Sequence, residues 1–292
     1  MSETPPLQRY KLTVAYDGTG FHGWQRQEPP GKTPLRTVAG EVEKAIAQVV
    51  HQRVSVVGAS RTDAGVHAKG QVAHFDAATT IPIERMAQAI NSKLPRDAEI
   101  VDADFAPPGF DAISDATSKQ YRYRCFNSRR RPLLKRLGVW HCWVRLDIDR
   151  MNDAASRLIG THDVAGLAAA DHGRLTTVRT IFDCFVEAPE VFADEGPEVH
   201  IVVTGSGFLY NMVRIIAGTL VEVGRGRFEP GRIDEILATA NRALAGPTLP
   251  PEGLSLEWVK YEGRRNGGTE KRRDEGSELD NASPHHPADG GG

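Results

Sequence analysis

Asp63 lies among the densest set of reactive side chains in the sequence. The stretch from Gly58 to Asp76, GASRTDAGVHAKGQVAHFD, places Arg61, Thr62, Asp63 and His67 within seven positions. A carboxylate held there can attack a carbon or take up a proton. An Asp before a small residue and Gly ordinarily just closes an Asx-turn, so position alone does not make Asp63 catalytic. The Gly-Lys-Ser/Thr ending of a phosphate loop is missing.

A second cluster runs from Lys119 to Arg136. It holds Lys119, Arg122, Arg124, Arg129, Arg130, Arg131, Lys135 and Arg136 with no acidic residue. On composition such a run is a solvated face. Tyr121 and Tyr123 alternate with the arginines, however, so the strand can offer aromatic rings to a base and cations to phosphates. The third candidate is Arg214, set among Met212, Val213, Ile215 and Ile216 with Tyr210 and Gly218 at helical spacing. An arginine in so apolar a setting snorkels, pairs structurally, or pairs with a distant carboxylate such as Asp63. His67 and His74 lack the clustered acids or thiols of a zinc site and read as packed or surface histidines; no metal ligand set emerges.

The elements that must position these groups follow from periodicity. Tyr10, Leu12, Val14 and Tyr16 alternate as a half-buried strand. FHGWQRQ at 21–27 reads equally as a strand packing one face or as part of an RNA groove. Thr37 caps an expected helix striped by Val38, Val42, Ala45, Ile46, Val49 and Val50. Val54, Val56 and Val57 lead into the Asp63 loop as a strand, and Val72, Ala73 and Phe75 lead out. Expected helices cover 82–94, 149–159, 208–223 and 232–244, and expected strands 99–105, 138–144, 180–187, 198–204 and 254–261. From Lys119 to Phe126, alternation puts Tyr121, Tyr123 and Cys125 on one face and Arg122, Arg124 and Phe126 on the other. The order is α+β, as two similar α/β subdomains with mixed, largely antiparallel sheets: 1–110 with the Asp loop, 111–262 with the Tyr strand and Arg helix. Residues 263–292 carry almost no apolar side chains, and a disordered tail is expected.

The totals set outer limits. The chain has 292 residues, 40% hydrophobic content and a formal net charge of −2, so any nucleic-acid surface must be a local patch. Cys125, Cys142 and Cys184 are scattered and suggest neither a disulfide framework nor a CxxC pair. No long apolar run or secretion signal is present, which makes the cytoplasm the default and a membrane no partner.

ASRTDAGVHAKGQVAHFD closely resembles the signature of the tRNA pseudouridine synthase A family. FHGWQRQ, QYRYRCFN at 120–127 and GFLYNMVRIIAGTLVEVGRGR at 207–227 resemble its other motifs, in the same order. The resemblance implies the pseudouridine synthase fold around a central basic cleft, with Asp63, Tyr121 and Arg214 as catalytic residues. It implies a reaction that breaks the uridine N-glycosidic bond, turns the uracil and rejoins it through carbon five, with no metal or organic cofactor. It further implies tRNA as partner, with uridines 38 to 40 of the anticodon arm as targets, and a homodimer. Arg61, Lys119, Tyr121, Arg122 and Arg124 are the expected substrate contacts. Ile113 replaces an arginine usual in the family, and Leu167, Ala168, Ala169 and Ala170 replace aromatic and basic residues. Two other readings stand beside the isomerase: a non-enzymatic RNA-binding module in which Asp63 is a turn residue, and an Asp-His hydrolase, for which no nucleophile-elbow motif is present.

Overall fold

Alternation along Gln8–Tyr16 buries Tyr10, Leu12, Val14 and Tyr16 on one face, and this segment forms the first strand, β1. The computed structural model describes residues 5–31, 33–169, 176–189 and 197–262. The tail expected at 263–292, Ala170 and most of the acidic run after Glu187 lie outside the described residues. After β1 come α1 (Val38–Val50), β2 (Val57–Gly58), β3 (His67–Ala77), α2 (Ile83–Asn91) and β4 (Ala98–Phe105). The chain continues through β5 (Ala116–Asn127), β6 (Trp140–Cys142), α3 (Ile148–Ser156), β7 (Gly160–Asp163), β8 (Val178–Glu187) and β9 (Glu198–Gly205). Helices α4 (Met212–Gly224) and α5 (Arg232–Thr239) precede the last strand, β10 (Leu254–Tyr261).

The strands form one sheet in the order β4-β1-β3-β10-β5-β9-β8-β7, with β2 beside β3 and β6 beside β5. Pairing is antiparallel except for β5 with β6 and β3 with β10. The β3–β10 contact is short, Ser255 opposite His67 and Leu256 opposite Ala68, and it joins strands from the two halves of the chain. All five helices contribute to one buried cluster with the sheet, including Ile46, Ile90, Met151, Ile216 and Ile236. The architecture is α+β, one mixed and largely antiparallel sheet packed against helices.

Several local expectations hold with trimmed ends. The Thr37 hydroxyl accepts from the Gly40 amide at 3.3 Å and caps α1. The strand expected at 54–57 shrinks to β2. FHGWQRQ is not a strand: Gly23 has φ 86°, and the segment bends beneath the Asp63 loop with Phe21 and Trp24 buried. The helix expected from 208 starts at Met212, because Asn211 before it takes φ 59°, and Tyr210 is left 52% exposed. β7 escaped the periodicity because only four residues form it and none is fully buried.

Candidate active site

Backbone and side-chain hydrogen bonds fix the loop that carries Asp63. Trp24 N donates to Thr62 O at 3.0 Å, Gly65 N to Phe21 O at 3.3 Å and Val66 N to Asp63 O at 3.1 Å. The buried Gln71 clamps Ser60, accepting from its amide at 3.1 Å and donating to its carbonyl at 2.6 Å. Tyr16 and Thr62 share a hydroxyl hydrogen bond of 2.7 Å. Gly65 turns the chain with φ 79°, and a Cβ at Gly23 would meet Thr62 O at 2.7 Å, so these two positions require glycine. The turn uses the Asp63 carbonyl and leaves its carboxylate free for another partner.

That partner is Arg214, 151 residues away in the chain. Its Nη1 donates to Asp63 Oδ2 at 3.3 Å and to Asn211 Oδ1 at 2.6 Å, while Nε donates to Leu249 O at 2.7 Å. The Asp63 Oδ1 atom has no hydrogen-bond partner among the described residues. Burial pushes the Asp63 carboxyl above its ordinary value. The Arg214 charge and hydrogen bond pull it down without offsetting burial. The arginine therefore orients the carboxylate and eases its ionisation but does not fully compensate its loss of water.

Tyr121 comes from β5 and faces the same cleft. Its hydroxyl pairs with Ser60 Oγ at 2.7 Å, and its ring meets Phe208 edge-on at 5.2 Å. Burial, helped by the Asp63 charge, pushes the phenol up to about 12 against a downward pull from Ser60. Lys119, two residues earlier on the same face, donates to Ala59 O and braces the loop from the other side. The cleft encloses about 570 Å³ and is lined by Arg61, Asp63, Ile113, Lys119, Tyr121 and Arg214 among others. Arg61 is exposed there, with no ion pair among the described residues.

Arg122 and Arg124 are not in this cleft. They project from the opposite face of β5, where Arg122 pairs with Glu187 and lies 3.7 Å from Glu257, and Arg124 lies 3.4 Å from Glu198. The strand's two-residue period puts them on the face away from Tyr121, and neighbouring strands supply acids that neutralise them. His67 and His74 each accept a backbone amide, from Gly18 and Ala112, at 3.1 Å. No group of three or more His, Cys, Asp or Glu side chains among the described residues could hold a metal ion. No helix among them is long and apolar enough to cross a membrane. Ile113 reaches the cleft at 41% exposed, whereas Leu167 and Ala168 are buried.

Ser60, Gln71 and Asn211 are the site residues that sequence reasoning missed. The only local signal was Ser60's place beside Arg61 in the loop, and nothing in the sequence pairs it with Tyr121.

A family model described as tRNA pseudouridine synthase matches residues 12–111 and 154–262. Similar curated proteins are tRNA pseudouridine synthase A of Geotalea uraniireducens, 43% identical over 255 residues, and of Bacillus pumilus, 45% identical over 256. These cover 87% of this chain and 100% and 99% of the relatives. The chain belongs to the tRNA pseudouridine synthase A family. The same enzyme of Bacillus subtilis is 42% identical over 257 residues, 87% of this chain and 99% of its own. Asp63 and Arg214 fall inside the matched stretches of this isomerase family, and Tyr121 falls between them.

Proposed function

We propose that this chain isomerises uridine to pseudouridine in tRNA, at the anticodon-arm uridines 38 to 40 that the resemblance implies. The observation that carries the reading is the meeting of Asp63 and Arg214 in the cleft that Tyr121 lines. The N-glycosidic bond breaks, the uracil turns and carbon five bonds to the ribose, so the atoms of the nucleotide are conserved. Asp63 either adds to the sugar carbon or abstracts a ribose proton, and its free oxygen suits both routes. Tyr121, with its phenol near 12, stays protonated at neutral pH. That favours ring packing against the base and hydrogen-bond donation over proton abstraction.

Access to a uridine in a stem or loop requires that the nucleotide leave its stack. Exposed Arg61 beside Asp63 can fill the vacated space or hold the displaced strand, and Lys119 adds positive charge to the cleft. In this reading residues 1–110 supply the wall with Asp63, and residues 111–262 the wall with Tyr121 and Arg214. The resemblance adds a second copy of the chain, with tRNA lying across both. A tRNA substrate also places the reaction in the cytoplasm.

Tritium release from carbon-five-labelled uridine in a tRNA transcript tests the activity. Release by the wild-type protein is expected, and none with RNA bound normally rejects it in favour of an RNA-binding module.

A further inference from the structure

The segment around β6 holds four exposed arginines without a neutralising carboxylate among the described residues. Arg129, Arg130, Arg131 and Arg145 are exposed, and among the described residues none has an ion pair. In contrast, Arg9, Arg26, Arg36, Arg122, Arg124 and Arg157 each have a carboxylate within salt-bridge distance. Among the four stands Trp143, 71% exposed. Arg129, Trp143 and Arg145 line one open concavity of about 710 Å³ together with Asn127, Ser128 and Val144.

This concavity has a fixed floor. Parallel pairing sets Asn127 opposite Cys142. The Asn127 amide donates to Cys142 O at 3.0 Å and Val144 O at 2.6 Å and accepts from Leu146 N at 3.3 Å. One side chain thus holds the backbone on both sides of Trp143, so the indole is presented from an anchored segment. The whole feature lies within residues 112–153, between the two stretches that the family model matches.

We infer that this concavity is a second RNA-binding site, stacking an unpaired base on Trp143 and holding the flanking phosphates with Arg129 and Arg145. An exposed indole sharing a concavity with guanidinium forks has the chemistry of single-strand recognition: a π-face for any base, and planar donors that match phosphate. The inference rests on the proposed tRNA substrate and assigns it a grip away from the reacting uridine. Six residue steps along β5 take Tyr121 to Asn127, about 20 Å at ~3.3 Å per residue. One RNA can therefore engage both places, and linked contacts strengthen binding without touching the chemistry. The exposed Leu133 and Leu134 nearby raise a second copy of this chain as the other occupant. A two-fold contact there would bring two copies of the same arginine-rich patch together, which disfavours it.

The test uses the full chain and a full-length unmodified tRNA transcript, with affinity measured across a salt series. The Arg129→Ala/Arg145→Ala double variant should bind about tenfold or more weakly. The slope of log affinity against log salt should shrink by about 1.5, as two phosphate contacts are lost. Trp143→Ala should weaken binding roughly five- to a hundredfold, and Trp143→Tyr should restore most of it. Turnover at saturating RNA should stay at the wild-type level in all three. Wild-type affinity and slope throughout overturn the site. So does weaker binding with an unchanged slope and altered sedimentation, which makes the face a contact between two copies. Wild-type protein that binds tRNA without isomerising it sinks the proposed activity while leaving this assignment to stand or fall on the salt series.

Discussion

Asp63 and Glu198 are both acids taken out of water beside an arginine, one in the cleft and one on the opposite face of the sheet. Their carboxyls move in opposite directions. Glu198, its side chain 2% exposed, has His200 Nε2 and Lys135 Nζ each at 2.8 Å and Arg124 at 3.4 Å. The His200 hydrogen bond, helped by Lys135 and Arg124, overcomes burial and holds the carboxyl at about 2. Asp63, its side chain 23% exposed, has one arginine at 3.3 Å, and burial prevails. The number and geometry of donors, set against the cost of burial, decide the outcome. A fully partnered acid is structural; a carboxylate left with a free oxygen in a cleft is available for chemistry.

The same contrast gives each acid an opposite link to stability. Glu198 titrates below its ordinary value of 4.5, so its contribution is complete above that pH and is lost as pH falls towards 2. Asp63 titrates above 3.8, so its contribution is present when it is protonated and is lost as pH rises through its folded value. At neutral pH an ionised Asp63 is a net cost to the fold.

The comparison breaks most sharply at Asp63 itself. Asp63→Ala should lower turnover in the tritium assay by at least about 1,000-fold, ~4 kcal/mol, while tRNA affinity is retained and Tm does not fall. A variant that keeps turnover would return Asp63 to the role of a turn residue.

Removing Arg214 tests the other half of the pair. Arg214→Ala should cost about 3 kcal/mol in denaturant unfolding, the low end for a broken buried pair because both side chains keep some water contact. Arg214→Gln should move the acid limb of the pH–rate profile upward, because the ionised carboxylate loses the charge that favours it. Arg214→Lys with full activity would count against a geometric role.

On the opposite face, Glu198→Gln should cost about 3 kcal/mol at neutral pH, the size of its shift, and flatten acid unfolding between pH 4 and 2. Its turnover per folded molecule should match wild type; a large drop would place the cluster in the chemistry after all.

The smallest effect is expected from Ser60→Ala, which deletes one hydrogen bond to Tyr121, about 1 kcal/mol. Because that bond pulls the phenol down, its loss should move any alkaline limb governed by Tyr121 to higher pH. An unmoved limb would separate Tyr121 ionisation from the rate.

Much of this was legible before any coordinates. Alternation marked β1 and β5, the Thr37 cap marked the start of α1, and an arginine amid Met212, Val213, Ile215 and Ile216 signalled a need for a distant partner. Arg122 and Arg124 show where linear reading stops. Their alternation with Tyr121 places them on the other face of β5, and charge density along the chain is not charge density in space.

The sequence by itself determined the types and local periods: which face of each strand is apolar, where glycine must turn the chain, and which side chains could react. These are short-range properties, set by φ/ψ limits and by the spacing of apolar residues. Only the tertiary structure decided that Arg214 meets Asp63, that Ser60 meets Tyr121, and that Glu198 neutralises Arg124. Those contacts join residues far apart in the chain, and their geometry depends on how the strands order and pack, which no local pattern encodes.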